Sequence, residues 1–211
     1  SREGFFGVVG AANERAGRDV PKAERATAAS ILGEDLWRHV LTHRQMITRR
    51  LEILADGQHF DAIIVDLPDP SHPDLNKLYS DLFYRKLNEL LSADGIVTVQ
   101  STSPYHAPKA FISIGKTLTS AGFKVDQFHH NVPSFGEWGW SIGSKQGLSP
   151  KNRLTALSQL PIKSDWLTLG LVHGAFEFPG NYYAEQQDVK INEIGSLQLY
   201  HYHLAAWSEN E

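Results

Sequence analysis

From residue 60 onward the hydrophobic positions switch repeatedly between a period of two and a period near 3.6. The segment FDAIIVD, 60–66, carries Ile63, Ile64 and Val65, a β-branched run too short for a helix, and predicts a buried strand. A helical period follows from about Leu75 to Leu91, with Leu78, Leu82, Phe83, Leu87, Leu90 and Leu91 on one side. DGIVTVQS, 94–101, predicts a turn and a second strand. APKAFISIGKTLTSAG predicts a helix with Phe111, Ile114, Leu118 and Ala121 on its apolar face and Gly122 as its stop. FKVDQFHHNV predicts a third strand, and EWGWSIGSK a fourth that pairs with it through the PSFG turn. Strand, helix, strand, helix, strand implies a parallel sheet with right-handed crossovers, closed here by an antiparallel hairpin.

The flanks are less regular. Residues 1–21 predict a short strand or coil and a polar, glycine-containing loop. Residues 22 to about 56 carry a helical stripe of Ile31, Leu36, Val40, Ile47, Leu51 and Leu54, stopped by Asp56-Gly57. Residues 146–165 form a polar excursion. The tail from Trp166 to Trp207 predicts a further strand, a loop and a last helix, SLQLYHYHLAAW.

Composition narrows the function classes. A chain of 211 residues has room for one domain, or one domain and an appendage, with a sizeable core. Hydrophobic residues at 41% and charged residues at 21% fit an ordinary globular protein. A net charge of −4 provides no basic field for nucleic acid and favours cationic ligands. Cysteine is absent, which excludes disulfides, thiolate metal sites and a thiol nucleophile. No apolar run approaches a membrane span and no signal peptide is visible. The chain begins with Ser1, which points to a fragment or a trimmed form of a longer protein.

The chemistry concentrates where the first strand ends. Asp66 stands at its carboxyl end and Asp69 three residues later, in the position where open α/β sheets bind ligands. DLPDP is also ordinary turn chemistry, but two carboxylates this close repel unless a cation lies between them. Gln100 ends the next strand and aims a neutral amide at the same crevice. The VPSFGEWGW hairpin either packs its aromatics on the sheet or sets Phe135 and Glu137 over the crevice. There an aromatic wall would lie along the methylenes of an alkylamine while carboxylates hold its ends. His39 and His43 have metal-pair spacing but lack an adjacent glutamate and a third ligand, a weak zinc signal. His129 and His130 alternate at a strand end, so one of them can face the crevice. His201 and His203 read as packing and capping residues of the last helix. GVVGAANERAG departs from GxGxxG and is weak as a nucleotide loop.

Three stretches, FDAIIVDLPDPSHPDLNKLYSDLFYRKL, GIVTVQSTSPYHAPKAFISIGKTLTSAGF and VPSFGEWGW, resemble the spermidine synthase (polyamine aminopropyltransferase) family. They look most like its bacterial branch, which often carries membrane-spanning helices ahead of the catalytic domain. The similarity covers residues 59–145, and VKINEIGSLQLYHYHLAAW is similar to the branch's C-terminal extension. The resemblance implies an α/β, Rossmann-like fold of the S-adenosylmethionine-dependent-transferase type, with a mainly parallel sheet ending in an antiparallel hairpin. It divides the chain into a mostly helical segment 1–58 with an incomplete or diverged nucleotide half, an α/β core 59–145, and an extension 146–211.

The activity it implies is aminopropyl transfer from decarboxylated S-adenosylmethionine to a diamine such as putrescine, giving spermidine and methylthioadenosine without a metal. Carried over residue by residue, Asp66 matches the general base, Asp69 the carboxylate that holds the diamine, and Gln100 the amide beside it. Leu67, Pro73 and Leu78 match the loop that lies against the methylthioadenosine part. Phe135 stands where the family has a substrate-contacting tyrosine. The implied partners are the diamine and the nucleoside co-substrate, with no nucleic acid, and a second copy of the chain in a dimer. The implied location is cytoplasmic, tethered to the inner membrane in a longer precursor. The family's GGGDG-like loop and its acidic ribose and adenine contacts have no recognisable counterpart in residues 1–58. That departure sustains a second reading, a non-catalytic or truncated member that binds polyamines or serves as an interaction module. A methyltransferase using ordinary S-adenosylmethionine would need a seat for the methionine carboxylate, and none is found.

Overall fold

The protein's structure, a computed structural model, describes residues 5–7, 59–134 and 136–208. The helical stripe expected over 22–56, with His39 and His43, lies outside the described residues.

Strand β1 (Phe5–Gly7) runs parallel to β2 (Phe60–Val65), and β2 runs parallel to β3 (Leu91–Gln100). β4 (Lys124–Val132) and β5 (Gly136–Ser144) form the antiparallel hairpin. The strand order is β1-β2-β3-β5-β4, so it is the second strand of the hairpin that lies beside β3, antiparallel to it. This insertion sets Gln100 opposite Trp140 and brings the glycine-rich start of β5 to the carboxyl end of β3. Gly139 is needed there: its N–H donates to the Thr102 carbonyl at 2.8 Å, and a Cβ on it would stand 2.4 Å from the Phe111 ring.

Helices α1 (Asp81–Leu90) and α2 (Pro108–Ser120) complete the crossovers. α2 starts on Pro108, whose missing N–H costs nothing in a first turn, and Gly122 with φ +94° follows its end as expected. The main core joins Ile63, Val65, Val97 and Val99 of the sheet to Leu87 and Leu90 of α1 and Ile114 and Leu118 of α2.

The helix expected over 75–91 is broken. Leu75–Tyr79 forms a 3₁₀ turn, and Ser80 is extended and caps α1 by accepting from the Phe83 N–H at 3.3 Å. The break changes the phase of the apolar stripe. Leu82 is left exposed, while Tyr84 is fully buried in the core. Burial raises the Tyr84 hydroxyl well above the usual phenol range, and the hydroxyl has no hydrogen-bond partner among the described residues. Tyr84→Phe removes an unsatisfied polar atom and keeps the ring. Its midpoint in urea should therefore equal or exceed the parent's, and a loss above about 1 kcal/mol would mean that the hydroxyl has a partner after all.

The tail also departs from expectation. Where a further strand was expected after Trp166, residues Leu169–Gly174 form a short helix, α4, preceded by α3 (Pro150–Thr155). The Thr168 side chain accepts from the Leu171 N–H at 3.2 Å and nucleates that turn, which the apolar run LGLV does not reveal. The last helix, α5 (Gln198–Ser208), is present as expected.

Buried polar groups fasten this tail to the core. Lys116 on α2 gives its ammonium to the carbonyls of Gln187 and Val189, at 2.9 and 2.8 Å. Ser113 donates to the Lys190 carbonyl at 2.8 Å. Asn192, with no exposed surface, donates to the Asn76 carbonyl at 2.7 Å and accepts from the Leu199 N–H. Asn76 answers by accepting from the Tyr200 N–H at 3.0 Å. The start of α5 is thereby tied to the 3₁₀ turn that follows Asp66 and Asp69.

Candidate active site

Asp66 emerges from β2 exposed to solvent, as a residue at the carboxyl end of a parallel strand should. Asp69 lies further into the crevice, its side chain 20% exposed, and is surrounded by donors. Gln100 Nε2 donates to Asp69 Oδ1 at 2.7 Å, and Thr102 Oγ1 donates to Asp69 Oδ2 at 3.2 Å. His203 Nε2 lies 3.3 Å from the same Oδ2. The amide expected beside the second carboxylate is therefore joined to it directly.

The Gln100 amide is oriented by a group that the sequence reading did not single out. Tyr79, fully buried, points its hydroxyl at Gln100 Oε1 (3.0 Å) and at the carbonyls of Pro68 (3.0 Å) and Leu67 (3.3 Å). An oxygen facing Tyr79 leaves the amide nitrogen to face Asp69, so one chain runs from Tyr79 through Gln100 to Asp69. Burial first, then Tyr84, Asp69 and Asp66, raise the Tyr79 hydroxyl well above the usual phenol range. It stays protonated, and a donor, wherever the protein is folded. Tyr79→Phe should weaken binding of a ligand held by Asp69 more than it slows any chemistry there. It should also cost about 1–3 kcal/mol of stability, because the single hydroxyl proton shared among Gln100 Oε1 and the two loop carbonyls is lost. Titration of the ligand and urea unfolding would read the two effects separately, and unchanged affinity would dismiss the chain.

Thr102 is the second such residue. Its φ of +62° places a β-branched side chain in the left-handed region, which costs about 1–3 kcal/mol where the surroundings impose it. Here the hydroxyl bonded to Asp69 and the carbonyl bonded to Gly139 impose it. His203, which reads along the chain as a packing and capping residue of the last helix, instead faces Asp69. It stands 134 residues from Asp69 in the chain, and no local pattern could have paired them.

The remaining expected residues fall as follows. Leu67 and Leu78 are buried in the main core and Pro73 is half-buried on the loop between them. Glu137 is held by His129 on the neighbouring strand, with Oε2 2.6 Å from Nδ1, while His129 Nε2 lies 2.9 Å from the Glu177 carbonyl. The Tyr105 ring meets His129 edge-on, and burial and the Glu137 charge raise its hydroxyl above the usual range. His130 is exposed. Phe135 lies outside the described residues.

A parallel sheet closed by an antiparallel hairpin, with carboxylates at the mouth of a central strand, defines a Rossmann-like fold of the transferase type. Residues 44–155, more than half of the chain, match the model of the spermine/spermidine synthase domain, and the chain belongs to that family. It is 68% identical over 160 residues to a polyamine aminopropyltransferase of Shewanella oneidensis, covering 76% of this chain and 28% of that protein. It is 46% identical over 97 residues to polyamine aminopropyltransferase 1 of Streptomyces coelicolor, covering 46% of this chain and 18% of that one. The chain thus spans less than a third of the length of these relatives. The spermidine synthase of Thermotoga maritima shares the fold, with a TM-score of 0.50 at 16% identity over 65% of this chain and 47% of that chain.

Proposed function

We propose that the chain carries the acceptor half of an aminopropyltransferase site, in which the aminopropyl group of decarboxylated S-adenosylmethionine passes to a diamine such as putrescine. The observation that carries the reading is the Asp69–Gln100–Tyr79 chain beside an exposed Asp66 in a member of this family. Asp69, its Oδ1 held by Gln100 and its Oδ2 shared by Thr102 and His203, anchors one ammonium of the diamine through Oδ2. Asp66 meets the other amine and takes its proton. The freed lone pair attacks the aminopropyl carbon attached to sulfur, the carbon–sulfur bond breaks, and its electrons neutralise the sulfonium to a thioether. Pro73, half-buried on the loop between the buried Leu67 and Leu78, is the residue of that segment proposed to lie on the nucleoside side. Phe135 and Glu137 are the hairpin residues proposed to meet the acceptor.

The decisive experiment is to incubate the protein with decarboxylated S-adenosylmethionine and putrescine and to follow methylthioadenosine. Product that depends on the diamine is expected. Absence of methylthioadenosine with every diamine offered, in a protein that still binds putrescine, would leave the non-catalytic polyamine-binding reading.

A further inference from the structure

The contact between the last helix and Asp69 has a chemical peculiarity. His203 is nearly buried, its side chain 9% exposed, and its Nε2 faces two groups at once. Asp69 Oδ2 lies 3.3 Å away and the Trp207 indole nitrogen 3.0 Å away. An indole N–H can only donate and a carboxylate can only accept. One ring nitrogen cannot serve both. Carrying a proton, Nε2 donates to Asp69 and leaves the N–H of the exposed Trp207 to solvent. Bare, Nε2 accepts from Trp207 and leaves Asp69 Oδ2 to Thr102 and to whatever enters the crevice. Trp207 is itself steadied by the His106 ring, stacked at 5.7 Å and 22°.

We propose that His203 is a positioning residue of the acceptor site, holding Asp69 while no amine is bound and turning its Nε2 to Trp207 when an ammonium takes its place on Oδ2. The inference rests on the aminopropyltransferase reading of Asp69 and assigns the C-terminal helix a part in recognising the acceptor. An alkylammonium and an imidazolium compete for one carboxylate oxygen. The bound state therefore favours bare Nε2. A proton on Nε2 holds Asp69 Oδ2 against the incoming ammonium, so diamine affinity is expected to fall as pH drops.

Among the described residues, the other titratable groups around His203 are few. Asp66 shares the loop of Asp69, and Tyr79 approaches from the 3₁₀ turn and stays protonated. His106 comes from the loop after β3 and touches Trp207 rather than Asp69. The buried face of α2 carries no charge. On α5 itself, the Tyr202 hydroxyl accepts from the Lys190 N–H, and His201 is exposed, more than half a turn round from His203.

The test is calorimetric titration of the whole chain with putrescine at about pH 6 and about pH 8, values that bracket the range in which imidazoles take up a proton, in buffers of low and high ionisation heat. Alkylammonium groups titrate near pH 10.4, so the ligand stays a dication throughout. The expected result is release of up to one proton per diamine at the lower pH, with affinity about tenfold weaker than at the higher pH. His203→Gln should abolish the proton release and bring the two affinities to within about twofold of each other. Trp207→Phe, which removes the partner of bare Nε2, should weaken binding at both pH values and keep the release. His106→Gln should keep it too. Proton release that survives His203→Gln, or vanishes with His106→Gln, overturns the proposal while leaving the acceptor reading intact. If the parent chain binds no diamine at either pH, the acceptor reading falls and this inference with it.

Discussion

Asp66→Asn is expected to reduce methylthioadenosine formation by roughly 10²–10⁴-fold, the usual contribution of a positioned general base, while putrescine affinity changes far less. The reason is the protonation state of the acceptor. An alkylamine near neutral pH is almost wholly ammonium and has no lone pair with which to attack. A carboxylate at Asp66 accepts the proton as the carbon–nitrogen bond forms, and an amide in the same place can hold the amine but cannot accept it. Asp66 is exposed and makes no hydrogen bond or ion pair among the described residues, so the substitution should leave the unfolding midpoint within about 0.5 kcal/mol of the parent. Lost activity is then lost chemistry. Turnover within a few-fold of the parent would remove Asp66 as the base. A variant that changes only diamine affinity would identify the crevice as a binding site without catalysis.

The separation of roles between the two aspartates depends on their surroundings. Asp69 is fixed by Gln100 and Thr102 at its two oxygens, an arrangement suited to holding a charge in one place. Asp66 stands exposed at the mouth of the strand, where a proton can arrive and leave. On the proposed reading, the same residue type anchors in one position and reacts in the other.

Much of this was legible along the chain. The β-branched run ending in Asp66, the amide ending β3 and the glycine after α2 are local signals, and each appears where its periodicity placed it. The departures are equally physical. Ser80 looks like an interior helix position, because nothing in LNKLYSDLFY announces that its hydroxyl caps a new helix rather than continuing an old one. The turn after Thr168 reads as a strand, because four apolar residues fit either structure until a cap decides. Tyr79, Thr102 and His203 escape a sequence reading for a different reason. Their partners lie 21, 33 and 134 residues away, and only the assembled sheet and tail bring them to Gln100 and Asp69.

Asn192→Ala should cost more stability than any of the substitutions at the site, roughly 2–5 kcal/mol. The magnitude follows from what remains behind. Asn192 is wholly buried, and its amide fills the gap between the 3₁₀ turn and the start of α5. Truncation leaves the Asn76 carbonyl and the Leu199 N–H without their partners, each costing about 1–3 kcal/mol in a site that water does not reach, and adds a small cavity. Asn192→Asp is a sharper version of the same test. It keeps the volume and the acceptor for Leu199, but it places a carboxylate against the Asn76 carbonyl, and a buried charge without a counter-ion costs more than a missing amide. Urea unfolding should rank the parent above the alanine variant, and the alanine variant above the aspartate variant. Amide exchange should show α5 opening before the sheet does. A loss below about 0.5 kcal/mol for Asn192→Ala would mean that the other ties of the tail, among them Lys116, Ser113 and the Asp81 carboxylate on the Ile194 N–H, hold it without the Asn192 side chain, since surface-like substitutions cost no more than that. The consequence for function is direct. α5 carries His203, so a chain with a loosened α5 should bind diamine with its pH dependence diminished, even though every residue that touches the diamine is unchanged.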